Sequence, residues 1–150
     1  MADEATVYEG WIEKTIIIDA AAEQVWAALT EPVLMKQWMS DAVTSIVTDW
    51  RVGGPLTISG VLAGKQFENT GVVLAYEPGV ARRYSHLSSL SELEDKEEQY
   101  TILDFRLAPA GSQTQLTLRI TNFPTEAIYR HLAFYWNVTL VILKKFIERK

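Results

Sequence analysis

Proton chemistry near neutral pH would have to begin at one of two histidines, His86 or His131. His86 lies in Arg83-Tyr84-Ser85-His86-Leu87-Ser88, a run that alternates as a strand does. Burying Arg83 is expensive, so parity turns Tyr84 and His86 inward and Arg83, Ser85 and Leu87 outward. An imidazole facing an apolar interior can hydrogen-bond a ligand carbonyl or move a proton, although a histidine satisfied by a neighbouring strand is the commoner case. His131 falls beside the apolar stripe of a helix and reads as a packing or rim residue. No carboxylate stands at ligand spacing from either ring, so no metal is expected. Thr139 is the other unusual group, because a hydroxyl amid an apolar stripe needs a partner when buried. The carbonyl of Tyr135, four residues back, would serve. Tyr135 and Thr139 together would also give a cavity wall two polar handles.

Covalent chemistry finds no foothold. The chain has no cysteine. It has no Gly-x-Ser-x-Gly elbow, no Gly-rich phosphate loop and no His-Glu-x-x-His helix. Its acids fall at tips and outer strand faces instead of converging in pairs. No catalytic residue and no cofactor is assigned, and the reading leans away from an enzyme. Aromatic rings, by contrast, are plentiful: five Trp, six Tyr and five Phe. A solid core of this size does not need so many. Trp38, Trp50, Phe67, Tyr84, Phe105 and Trp136 are therefore expected to line a cavity, together with Leu118, His86, Tyr135 and Thr139. Arg51, Arg82 and Arg83 read as exposed strand-end cations that carry little weight as anchors for an anionic head.

The elements that would position these residues follow from periodicity. Trp11 to Ile18 is β-rich. Asp19 offers a cap for a helix over Ala20 to Leu29, and Thr30-Glu31-Pro32 stops it and starts a second that runs to about Trp38. Strands are expected near 43–49, 55–62, 66–77, 80–89, 97–108 and 112–122. Gly53-Gly54-Pro55, Ala63-Gly64-Lys65, Glu77-Pro78-Gly79 and Pro109-Ala110-Gly111 separate four of these junctions. Parity turns Thr101, Leu103, Phe105 and Leu107 inward on one strand and Leu116, Leu118 and Ile120 on the next. The acidic run from Ser91 to Glu98 reads as a solvated hairpin tip, and residues 1–10 as a frayed or loosely paired lead-in.

Asn122-Phe123-Pro124-Thr125 is a stop-and-cap sequence, after which Glu126 to about Arg149 reads as one helix roughly 36 Å long. Ile128, Leu132, Tyr135, Thr139, Ile142 and Phe146 fall on one face, with Trp136 and Leu143 flanking it. Arg130, Asn137, Lys144 and Glu148 fall opposite. The order of strand, two short helices, six strands and a long helix predicts an antiparallel sheet in an α+β layout.

Val25-Trp26-Ala27-Ala28-Leu29-Thr30-Glu31-Pro32 followed by Trp38 resembles the start of START-like (SRPBCC) domains. So do Gly53-Gly54, Gly71-Val72-Val73 leading to Glu77-Pro78, and Thr114 through Leu118. His131 followed by Trp136, Leu140 and Leu143 fits as well. The resemblance runs from about Trp11 to Ile147 and is nearest to the heat-shock-protein-90 ATPase activator homologues. It implies a helix-grip (START/Bet v-like) fold, in which a curved sheet wraps a long C-terminal helix around a cavity. The superfamily it implies includes lipid carriers, hormone receptors, polyketide cyclases, aromatases and co-chaperones. The activators themselves carry a separate N-terminal domain that contributes to chaperone binding. No room for such a domain is expected beside the region of resemblance, and chaperone activation is correspondingly the less expected role.

With 150 residues, one domain over 1–150 is expected. A net charge of −5 disfavours nucleic acid and anionic membrane as partners. Without cysteine, an apolar signal core or a stretch long enough to span a bilayer, a cytoplasmic location without membrane insertion is expected. The function expected first is binding of a small hydrophobic or aromatic ligand, lipid- or polyketide-like, between sheet and C-terminal helix. The alternatives are a cyclase, aromatase or hydratase using the same cavity, and a chaperone-associated module. Either a monomer or a homodimer would be compatible.

Overall fold

The computed structural model describes residues 10–40 and 42–149. Nine of the ten lead-in residues, including the acidic Met1 to Glu4, lie outside the described residues. The elements are β1 (Ile12–Ile18), α1 (Ala22–Thr30), α2 (Pro32–Trp38), β2 (Val43–Val47), β3 (Pro55–Leu62), β4 (Lys65–Glu77), β5 (Ala81–Ser88), β6 (Thr101–Ala110), β7 (Gln113–Thr121) and α3 (Glu126–Glu148). Between β5 and β6 the chain forms two single 3₁₀ turns, Ser89–Ser91 and Glu97–Gln99.

The seven strands make one antiparallel sheet in the order β1-β7-β6-β5-β4-β3-β2. From β2 to β7 it is a meander, the arrangement that short turns between sequential strands favour. β1 returns beside β7, so α1 and α2 carry the chain from one sheet edge to the other. Irregularities between Val43 and Ser45 and between Val73 and Ala75 interrupt the ladders. Such bulges bend a strand and deepen its twist. Gly60 and Gly71 allow the tightest approaches: a Cβ on Gly60 would collide with the Ala42 carbonyl, and one on Gly71 with the Ser85 carbonyl. The sheet curves, and its concave face receives α3.

Asp19 is not the cap of α1. Ala21 holds that position, and its N–H is taken by the side chain of Gln24 at 3.2 Å. Asp19 instead donates its backbone N–H to Glu148 Oε2 at 2.7 Å, tying the start of α1 to the end of α3. Thr125 does cap α3, its hydroxyl accepting from Ile128 N at 3.1 Å.

The buried stripe of α3 comprises Leu132, Trp136, Thr139, Leu140 and Leu143. Ile142, expected on the buried face, is 45% exposed. The helix has rolled by about 60° from the expected stripe, at ~100° per residue. Two anchors account for the roll. Trp136 packs against Trp38 and, edge-on, against Phe105, with centroids 6.2 and 5.5 Å away. Lys144, expected to face solvent, donates to Ile17 O and to Glu148, both at 2.6 Å. Leu140 and Leu143 belong to the main core, whereas the N-terminal half of the helix stands over β4 to β6 with space beneath it.

Candidate functional site

That space is a cavity of about 670 Å³. Its sheet side is made by Ile58 and Leu62 of β3, Phe67 and Asn69 of β4, Tyr84, His86 and Ser88 of β5, and Thr101 and Leu103 of β6. The helix side is Ile128, His131, Leu132, Phe134, Tyr135 and Trp136, and the segment from Met39 to Val43 contributes a third wall. Leu90 and Leu93 also face it. The acidic run is thus more than a hairpin tip, since its Leu93 lines the cavity while Glu94 and Lys96 pair at 2.7 Å. Leu87, expected to face out, is buried at the same end of β5.

Of the ten residues expected to form a site, Phe67, Tyr84, His86, Tyr135 and Trp136 are brought together around the cavity. Trp38, Trp50, Phe105, Leu118 and Thr139 do not line it and are buried in the core. The tryptophans have a structural task. The indole N–H of Trp38 donates to Ala28 O at 2.8 Å, and that of Trp50 to Thr30 O at 2.6 Å. Both acceptors are in the last turn of α1, where carbonyls lack partners within the helix. Trp50 reaches Thr30 from a left-handed backbone, φ 58°, which a bulky residue adopts only when packing imposes it. Thr139 makes no bond to the Tyr135 carbonyl. Its side chain instead opposes the rise that burial imposes on the Tyr135 phenol, as does the Ser40 backbone.

His86 is half-buried and faces the cavity, opposite Thr101 on the ladder. Burial, and then the neighbouring His131, push its pKa down to about 4. At neutral pH the ring is uncharged and offers one donor and one acceptor. Tyr84 stacks on Phe105 with centroids 6.4 Å apart, and burial holds its phenol up at about 12.

Sequence reasoning missed Arg82. Placed with the exposed cations, it is 1% exposed. The guanidinium carbon lies 4.9, 5.2 and 4.3 Å from the ring centroids of Trp50, Tyr84 and Phe105. Burial lowers its pKa to about 10, against the opposing pull of the Tyr84 and Tyr76 phenols. Its Nε and Nη1 have no hydrogen-bond partner. The signal was available: strand parity that turns Tyr84 and His86 inward must turn Arg82 inward too. Arg83 does face out, to Asp104 at 3.0 Å, and Arg51 pairs with Asp49 at 3.1 Å.

The lining offers apolar contact and neutral hydrogen-bonding groups. Among the described residues it holds no Asp, Glu, Lys or Arg, and no three His, Cys, Asp or Glu gather to hold a metal. No helix among them is long and apolar enough to cross a membrane.

A curved antiparallel sheet closed by a long C-terminal helix over a cavity defines a START-like (SRPBCC) domain of the START/Bet v-like fold. Residues 19–148 match the family model described as Activator of Hsp90 ATPase homolog 1-like protein, and the chain belongs to that family. A protein of Cytophaga hutchinsonii solved in solution is 29% identical, over 95% of this chain and 96% of that one, with a TM-score of 0.79. The Aha1 dimer from Colwellia psychrerythraea is 23% identical over 93% and 96% of the two chains, with a TM-score of 0.72. CalU16 from Micromonospora echinospora is 21% identical over 95% and 86%, at 0.69. No curated protein sequence matches the chain.

Proposed function

We propose that this protein is a non-enzymatic binding module that holds one small, uncharged, largely apolar molecule between the sheet and α3. The observation that carries this reading is a cavity of about 670 Å³ whose described lining combines many apolar side chains with a few neutral polar ones. Pockets of roughly 300–1,000 Å³ with that make-up are the usual form of small-molecule sites. The rings that sequence reasoning spread around the cavity divide the work: Trp38 and Trp50 hold α1, leaving Phe67, Tyr84, Tyr135 and Trp136 to meet a guest. A thermal-shift screen with lipids, flavonoids and polyketides tests the reading. A ligand at a hundred times its dissociation constant should add about 2.7 kcal/mol of stability. No shift across the panel would overturn it.

A second reading has its own support. On the outer face of α3, Val138 and Val141 are 43% and 50% exposed at helical spacing, and the family description names an Hsp90 ATPase activator. A chaperone-associated module would use such a face. Co-purification with Hsp90, abolished by Val141→Glu and indifferent to a cavity ligand, would favour this reading. Sedimentation of the same variant separates monomer from homodimer, the assembly named for the Colwellia relative.

A further inference from the structure

The cavity's unspent hydrogen-bonding capacity is concentrated on one wall. Asn69 of β4 lines the cavity, and its amide oxygen is buried without a hydrogen-bond partner. On the ladder Asn69 stands opposite Ser88, so His86 is its diagonal neighbour on the same face. Diagonal partners lie roughly 7–8 Å apart at the backbone, close enough for both side chains to meet one group between them. His86 is half-buried on the same wall, and its ring is uncharged at neutral pH. Ser88 is already engaged, accepting from Leu90 N at 3.1 Å. The wall thus presents a shielded acceptor beside a neutral imidazole, in a cavity whose described lining contains no charged side chain.

We infer that the cavity selects a neutral apolar molecule bearing a hydroxyl, phenolic or alcoholic, whose O–H donates to Asn69 Oδ1 and whose oxygen faces the His86 ring. This rests on the cavity being a ligand site and names the chemistry of its ligand. A ligand with acceptors alone, such as an ether, leaves the buried amide oxygen unserved and forfeits a hydrogen bond. A carboxylate finds no cation in the described lining, and His86 stays uncharged at neutral pH because burial disfavours its protonated form. A hydroxyl supplies both the donor that Asn69 lacks and an acceptor for the imidazole.

The test is calorimetric titration at pH 7 with 2-naphthol, 2-methoxynaphthalene and 2-naphthoate, which share one apolar body. Naphthol should bind roughly tenfold or more tightly than the ether, and naphthoate weakest. In Asn69→Leu the naphthol advantage should shrink to near one while the ether is unaffected. Equal binding of naphthol and ether, or tightest binding of naphthoate, overturns the inference. So does a naphthol advantage that survives in Asn69→Leu. The wild-type series alone decides the hydroxyl preference if that variant fails to fold. If none of the three binds, the ligand-site reading itself fails.

Discussion

Arg82 and Phe105 face each other across the β5–β6 ladder, with the guanidinium carbon 4.3 Å from the ring centroid. The cation is flanked by two more rings and has no carboxylate among its named contacts. Attraction to ring faces offsets part of the cost of removing a charge from water. This rung lies directly behind the Tyr84–Leu103 rung at the end of the cavity. The charge therefore belongs to the scaffold and not to the cavity lining.

If Arg82 acts as packing, then Arg82→Met should leave stability unchanged or raise it by about 1–2 kcal/mol, as when buried ions give way to apolar residues of similar volume. Arg82→Ala should cost about 2–4 kcal/mol, because it leaves a void among the rings. Urea denaturation measures both. Equal losses in the two variants would mean that the charge itself is required.

His86 gives stability a pH dependence. Its folded pKa, about 4, lies below the ordinary 6.5. Between those values the unfolded chain binds a proton that the folded one refuses, so stability falls as pH drops from about 6.5 towards 4 and levels off below. The greatest loss from this group is about 3 kcal/mol. Denaturation midpoints at pH 7.5 and 5, compared with those of His86→Leu, check it. The variant should have the shallower slope.

Trp38→Phe should destabilise by about 1–3 kcal/mol, because the Ala28 carbonyl loses its donor. Ligand affinity should change little, since Trp38 does not line the cavity. Chemical denaturation paired with naphthol titration separates the two effects. A large loss of affinity with intact stability would return Trp38 to the binding site.

Gly71→Ala should cost about 3 kcal/mol, because the added methyl meets the Ser85 carbonyl on the adjacent strand and backbone cannot yield as a side-chain tip can. Thermal unfolding is the readout. A loss below about 1 kcal/mol, the ordinary cost of a mild substitution, would show that the strands can part.

Leu93→Asp should weaken naphthol binding about tenfold and leave stability near wild type, because Leu93 faces the cavity from a segment outside the sheet. Unchanged affinity would remove Leu93 from the site.

The strands, their inward parity from Thr101 to Leu107 and from Leu116 to Ile120, and the long capped helix were legible in the sequence. Alternation and capping are local, and each residue declares its face through its nearest neighbours. The roll of α3 was not legible. A stripe that includes Trp136 and Leu143 is nearly as apolar as one that includes Ile142 and Phe146, and only contacts with Trp38, Phe105 and the Ile17 carbonyl choose between them. The division of the aromatic rings was hidden for the same reason. Trp38 and Phe67 are equally apolar in sequence, yet one meets an orphan carbonyl of α1 and the other an open space. The chain by itself determined the strands, the inward parity of β6 and β7 and the capped helix; the tertiary packing decided the roll of α3, which buried residues touch one another and which are left facing a cavity, because that depends on distances between elements remote in sequence.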